Sequence, residues 1–326
     1  KRLMCLDKAG RIALLANATV GLNLALFGFP FEAGDIVVTS LSEHNSVLRP
    51  LYALEKRGII KTVFVPTDKD GRIDEAVWER TFKDNRVRLA VFTHASNVTG
   101  AVNDAEKLTK IAKEYGAAVL LDAAQSLGLV EARPQQWGVD LVAFTGHKYL
   151  LGPQGTGGLY VREGVELMPH LVGGTGIYSD AEEMPAEMPL RLEAGTGNET
   201  SFAGLAAALR WAEENPLDSV ALNAMTDRLK QGLQEAGAKV IAPAGLKTPV
   251  VSFILDGILS DEVGFALMQG YDIICRSGLH CAPKIYDCIK YQCGGTVRLS
   301  LSRFTTEEEV DEVIGAVRQI AEGGIF

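Results

Sequence analysis

Basic charge is scarce in this sequence. Its 32 Lys and Arg face 41 Asp and Glu, giving a net charge of -9 and a pI near 5.2. Phosphate backbones are held by basic surfaces, so nucleic acid is excluded as the main partner. Long apolar runs are missing as well. None approaches the roughly 20 residues that cross a bilayer, and no signal peptide is visible, so no membrane partner is expected. The opening KRLMCLDKAGRIALL reads as the middle of a helix and a strand, and the natural beginning is expected to lie upstream. Cysteine is sparse: Cys5, Cys275, Cys281, Cys288 and Cys293. An odd count without a leader argues against a disulfide framework and for a reducing, cytoplasmic setting. Four of the five fall between 275 and 293, yet no C-x-x-C pair occurs and only His280 lies nearby, so no metal site is expected.

What is present is globular. Hydrophobic residues make up 47% and charged residues 22%, a balance that disordered chains lack. A length of 326 residues exceeds one core of ordinary size, so a large domain (1–203) and a smaller one (204–326) are expected. Apolar runs alternate with amphipathic ones, the pattern of an α/β protein with a mostly parallel mixed sheet. Strands are expected at IALLA (12–16), DIVVTS (35–40), RLAVFTHAS (88–96), AAVLLDAA (117–124), VDLVAFTG (139–146) and GGLYVRE (157–163). The first opens into an apolar helix from Asn17-Ala18-Thr19. Between the third and fourth, AEKLTKIAKEYG (105–116) sets Leu108, Ile111 and Ala112 on one helical face, with Gly116 as its stop. A Gly-, Pro- and acid-rich loop fills 173–200, too long for an idle connection. From about residue 216 the pattern becomes α+β, and Thr305-Thr306-Glu307-Glu308-Glu309 caps a last helix striped by Val310, Val313, Ile314, Val317 and Ile320.

Ligands of parallel α/β sheets collect outside the carboxyl ends of the strands. There the sequence places Asn17-Ala18-Thr19 at a helix start suited to a phosphate, Ser42-Glu43-His44, Ser96-Asn97, Asp122 with Gln125, and Thr145-Gly146-His147-Lys148. Singly, each has a plain alternative: Asn97 or Gln125 could cap a helix, and His44 could be a satisfied polar side chain. The phosphate motifs of nucleotide enzymes do not fit. GPQGTGG lacks the Lys and Ser or Thr of a P-loop, and no G-x-G-x-x-G follows the first strand. A phosphate-binding helix start, an acid, a ring and a lysine together suit pyridoxal 5'-phosphate, which needs an amine for its Schiff base and an acid at its ring nitrogen.

Four segments, SEHNSV, SNVTG, LDAAQSLG and FTGHK, stand in order, with Asp122 26 positions before Lys148. With LRLEAGTGNET, CRSGLHCAP and GTVRLSLSRF in the C-terminal half, the chain from Ile12 onward resembles the class V group of fold-type I pyridoxal phosphate enzymes. Within that group it is similar to the cysteine desulfurases and selenocysteine lyases. The resemblance implies a Schiff base at Lys148, a stacking ring at His44 and a partner for the ring nitrogen at Asp122. Gln125 and Asn97 would hold the ring oxygen and nearby substrate groups. The phosphate would lie at the Ala18-Thr19 turn with Thr145 and His147, joined by Thr196 from the second subunit of a homodimer. Arg298 would take the substrate carboxylate and Cys281 would be the nucleophile. Three departures stand out. Ala18 replaces one of two adjacent hydroxyl residues, Gly197 and Glu199 alter the loop around Thr196, and the segment that precedes the first strand in relatives is not in this chain.

The implied reaction converts L-cysteine to L-alanine and leaves a persulfide on Cys281 for transfer to an acceptor, as in iron–sulfur cluster assembly. Lys148 would move the Cα proton, and His280 or Arg276 would favour the Cys281 thiolate. Cys275 reads as core, and Cys288 and Cys293 are open. A preference for selenocysteine, as in a selenocysteine lyase, is one alternative; another class V aminotransferase or lyase would share Lys148 and Asp122 but would not need Cys281. A non-catalytic sulfur-relay or scaffold protein would keep the fold without the cofactor.

Overall fold

The computed structural model of the chain describes residues 1–8, 11–289 and 294–323. Two compact units divide it: Lys1–Pro66, Ile73–His94 and Asn103–Pro216 form the first, and Thr67–Arg72, Ala95–Val102 and Leu217–Phe326 the second.

The first unit runs β1 (Ile12–Leu15), α1 (Ala18–Gly28), β2 (Asp35–Ser40), α2 (Asn45–Lys56), β3 (Ile60–Val65), α3 (Glu75–Asp84), β4 (Val87–Thr93), α4 (Ala105–Glu114), β5 (Ala118–Asp122), the short α5 (Pro134–Trp137), β6 (Leu141–Thr145), β7 (Gly157–Val161) and α6 (Glu199–Glu214). Its seven strands lie in the order β1-β7-β6-β5-β4-β2-β3, with β7 antiparallel to both neighbours and the pairs from β6 to β3 parallel. Alternate residues of the central strands feed two separate cores. Leu89, Val91, Leu120 and Leu141 pack with Leu22 and Leu51 on one face. Ala90, Phe92, Val119 and Leu121 pack with Trp78, Phe82 and Leu108 on the other. This two-faced burial explains why these strands are continuous apolar runs rather than alternating ones. Each fully buried Leu or Phe contributes roughly 1.5–3 kcal/mol.

The expected mostly parallel α/β sheet is present. At the sheet edge β1 pairs with β7 and turns Leu14 outward, 48% exposed. Strand β4 stops at Thr93 rather than 96, although His94 N still donates to Asp122 O at 2.9 Å. Gly157 on β7 permits the close approach that seats the start of α1, since a Cβ there would lie 2.7 Å from Asn17 Cα.

The second unit contains α7 (Ser219–Glu235), β8 (Lys239–Ile241), β9 (Val250–Ile254), α8 (Ser260–Tyr271), the short α9 (Tyr286–Ile289), β10 (Val297–Ser300) and α10 (Glu307–Ala321). The strands form an antiparallel sheet in the order β10-β9-β8. Thr306 caps α10 through Glu309 N, and the Glu309 carboxylate returns to Thr306 N, the reciprocal box foreseen from the TTEEE run. Val310, Val317 and Ile320 are buried on the face toward α7 and α8. Among the described residues, no helix is long and apolar enough to cross a membrane.

Candidate active site

The carboxyl ends of β4, β5 and β6 bring Thr93, Asp122 and Ala143 side by side in register. Asp122 is buried, and one carboxylate oxygen accepts from Ala124 N at 2.9 Å. Burial pushes its carboxyl above the usual range, opposed by that backbone bond and by the charge of Lys148. Three residues beyond β6, Lys148 is half-buried. Thr145 Oγ1 lies 2.9 Å from His147 Nδ1, and partial burial together with the Lys148 charge lowers the His147 pKa. Gln125 is half-buried in the turn after β5. Asn17 caps α1 by accepting from Val20 N at 3.0 Å, with Ala18 buried beneath and Thr19 exposed in the first turn. His44 caps α2 through its ring: Nδ1 accepts from Ser46 N at 3.1 Å. Thr196 is exposed on the segment before α6 and takes no part in these hydrogen bonds.

Sequence reasoning placed Glu43 in the Ser42-Glu43-His44 group at a strand end but gave it no role. Its side chain is fully buried, and Oε1 accepts from Ser40 Oγ at 2.5 Å and from Thr93 N at 3.1 Å. Oε2 has no partner among the described residues. Burial raises the pKa from 4.5 to about 8, against the two hydrogen bonds and with a smaller push from Asp122. At neutral pH Glu43 is therefore a neutral acid that ties the β2–α2 turn to the end of β4. The folded protein keeps a proton that the unfolded chain releases. Stability from this group is full below about 4.5 and falls as pH rises toward about 8. Glu43→Gln should remove that slope: the stability of wild type relative to the variant declines between pH 5 and 8, by on the order of a few kcal/mol. Parallel urea curves across that range measure it, and a constant difference contradicts it.

In the second unit, Cys281 sits on a strained turn. His280 (φ 51) and Cys281 (φ 58) both adopt the left-handed conformation that non-glycine residues avoid, at roughly 1–2 kcal/mol each. Neighbouring bonds hold the turn there. Asn97 Nδ2 donates to His280 O at 2.7 Å, and His280 Nε2 lies 2.9 Å from Thr296 Oγ1. Tyr286 Oη donates to Gly278 O at 3.2 Å, and Thr296 N to the same carbonyl at 3.1 Å. Gly295 makes this crossing possible, because a Cβ there would lie 2.2 Å from Gly278 C. Arg276 Nη2 stands 3.0 Å from Cys281 Sγ. Of the two neighbours considered for Cys281, Arg276 is the one seen to donate to Sγ. The His280 ring is buried beside Arg298 and Arg276, which drives its pKa down to about 3 and keeps it neutral. Arg298 is half-buried on β10, its Nη1 donating to Asn97 O at 3.0 Å, and its backbone pairs with Arg276. Cys275 faces Gly264 O with its thiol pKa raised by burial, the signature of a packing residue. Cys288 Sγ accepts from Thr67 N at 3.5 Å, and Cys293 lies outside the described residues. Among the described residues, no cluster of three His, Cys, Asp or Glu could hold a metal ion.

The family model described as aminotransferase class-V matches residues 2–313. A probable cysteine desulfurase of Pyrococcus abyssi is 34% identical over 95% of this chain and 78% of its own length. The chain belongs to the class-V aminotransferase family, among the cysteine desulfurases. A probable cysteine desulfurase of Methanothermobacter thermautotrophicus is 32% identical over 95% of this chain and 79% of that protein. Among solved structures, the apo cysteine desulfurase of Thermococcus onnurineus is 32% identical with a TM-score of 0.90, over 99% of this chain and 82% of that one. Class-V members of this group depend on pyridoxal phosphate. The first unit has the donor set such a cofactor needs. Asp122 is a buried carboxylate that a protonated ring nitrogen would stabilise, α1 opens with a capped turn and a hydroxyl, and Lys148 supplies an amine.

Proposed function

We propose that the chain is a cysteine desulfurase that converts L-cysteine to L-alanine and receives the sulfur on Cys281. The observation that carries this reading is the Cys281 thiol held 3.0 Å from the Arg276 guanidinium, on a turn braced by Asn97, Thr296 and Tyr286. The guanidinium donates to Sγ and holds the thiol in place on that turn.

Bound at Lys148, pyridoxal phosphate supplies a sink for the electron pair that develops at the substrate Cα. Lys148 Nζ would be the base for the Cα proton and the acid that returns it. Asp122 would hold positive charge at the ring nitrogen, and His44 and Gln125 would help to hold the ring. Thr19, Thr145 and His147 would hold the phosphate. Arg298 and Asn97 orient the substrate carboxylate and its neighbouring groups. The Cys281 thiolate takes the substrate sulfur: the substrate C–S bond breaks, an S–S bond forms, and the carbon skeleton gains the proton that makes alanine. One cysteine and one enzyme thiol thus give one alanine and one persulfide, with no external oxidant or reductant. A second thiol or an acceptor protein then takes the sulfur onward.

Arg298→Ala should lower kcat/KM for L-cysteine roughly 10- to 100-fold, the worth of a charge-assisted carboxylate contact. The loss should fall mainly on KM. Steady-state alanine formation measures it, and an unchanged KM would remove Arg298 from the substrate site.

The active form is a homodimer in which Thr196 completes the phosphate site of the other subunit. The exposed side chains of Met168, Leu171, Val172, Ile177 and Tyr178 support such an assembly, because contiguous exposed apolar residues seek cover. Light scattering of the purified protein tests it, and a monomeric mass at assay concentration refutes it.

A further inference from the structure

Helices α1 and α2 pack against one another, and their first turns meet through a hydroxyl that no role has yet absorbed. Ser46, buried in the first turn of α2, lies with Oγ 2.7 Å from Thr19 Oγ1 and 2.8 Å from His44 Nδ1. The chain of atoms from the phosphate turn to the imidazole is therefore continuous. It also returns a second hydroxyl to Thr19 from another helix, beside a turn where Ala18 leaves one out.

Proton accounting restricts how this chain can work. A backbone N–H can only donate, so the bond from Ser46 N to His44 Nδ1 at 3.1 Å makes Nδ1 an acceptor and puts the ring proton of the neutral imidazole on Nε2. Ser46 has one hydroxyl proton. If it points at Nδ1, Thr19 must donate to Ser46, and Thr19 has no proton to offer an anion. If a phosphate accepts the Thr19 proton, Ser46 must turn its own proton to Thr19, and His44 Nδ1 loses that donor. Two lone pairs facing each other at 2.7 Å would be the only other arrangement, and it is repulsive.

We propose that Ser46 is a positioning residue that couples phosphate occupancy at Thr19 to the hydrogen bonding of the His44 ring. The coupling rests on the cofactor reading above for Thr19 and His44, and it adds a direction. Phosphate binding reverses the Thr19–Ser46 bond and releases His44 Nδ1 from the Ser46 hydroxyl. No cleft or mobile segment is needed, only rotation of two hydroxyls.

The test uses the full chain, freed of cofactor and labelled with nitrogen-15 in histidine, with the His44 signals assigned from His44→Gln. Inorganic phosphate is the probe, because it has no ring to disturb the imidazole. In wild type, the Nδ1 signal should move on phosphate addition in the direction of weaker hydrogen bonding. Ser46→Ala should begin at that shifted position and respond no further. If Ser46→Ala does not fold, Thr19→Val serves. Ser46 then stays committed to His44, and the signal should not respond to phosphate. In addition, Ser46→Ala should weaken pyridoxal phosphate roughly 3- to 10-fold, the range of one hydrogen bond, and leave pyridoxal without its phosphate unchanged. The proposal is overturned if Nδ1 ignores Ser46→Ala in the phosphate-free protein, if phosphate binds without moving it in wild type, or if both cofactors weaken equally. Pyridoxal phosphate that binds without any change at His44 overturns the coupling alone. Failure of wild type to bind pyridoxal phosphate at all, read from its absorbance, overturns the cofactor reading and the coupling with it.

Discussion

Lys148→Ala should remove both the visible absorbance of the loaded protein and its turnover of L-cysteine. The drop in alanine formation is expected to be at least about 1,000-fold, because one amine serves as covalent anchor and as base, and a positioned base alone contributes roughly 100- to 10,000-fold. Lys148→Arg should do no better: a guanidinium keeps the charge near Asp122 but cannot form the imine or release a proton at neutral pH. The fold should survive both changes, since Lys148 is half-buried and lies outside the two cores of the first unit. The decisive comparison is far-UV circular dichroism against absorbance. A folded Lys148→Ala protein that still holds the cofactor covalently, or still makes alanine at more than about a tenth of the wild-type rate, would move the chemistry to another residue.

Cys281→Ser should separate the two halves of the reaction. The variant should bind pyridoxal phosphate with unchanged absorbance, because no cofactor-holding residue has been altered, yet lose roughly 100-fold or more of its alanine formation. Serine is nearly the same size but stays protonated and makes a poor nucleophile toward sulfur, so packing of the turn is preserved while attack is lost. Undiminished alanine formation with limiting reductant would contradict the nucleophile and favour a class-V lyase that does not need Cys281. The turn itself explains why a simple cysteine scan is not enough. His280 and Cys281 are held at positive φ by Asn97, Thr296 and Tyr286, so changes at those three residues should also depress turnover, by misplacing Sγ rather than by removing it.

Local signals carried most of the architecture. DIVVTS is β2 to the residue, because a buried parallel strand is a continuous apolar run with abrupt polar ends. The α10 cap was readable because its two bonds join residues three apart. The stretch from 45 to 84 was not resolved into α2, β3 and α3. Pro50 stands inside α2, and the amphipathic faces of α2 and α3 are mixed with charge, so only packing on the sheet makes them helices. At the site, Lys148, Asp122 and His44 were legible as polar residues at the ends of apolar strands. Their supports were not. Glu43 meets Thr93 across 50 positions, Ser46 meets Thr19 across 27, and Asn97 meets His280 across 183, and no spacing rule reaches those distances. His280 shows the converse limit. Adjacency to Cys281 suggested a cation, but burial beside two arginines makes the ring neutral.

The most direct test of the account is where the sulfur goes. The cofactor-loaded protein is incubated with L-cysteine without reductant, alkylated, digested and mapped by mass spectrometry while alanine is counted in the same sample. The account predicts one added sulfur atom on the peptide carrying Cys281, in proportion to the first equivalent of alanine. Alanine formed with that peptide unmodified, or with the sulfur first on Cys288 or Cys293, would contradict it.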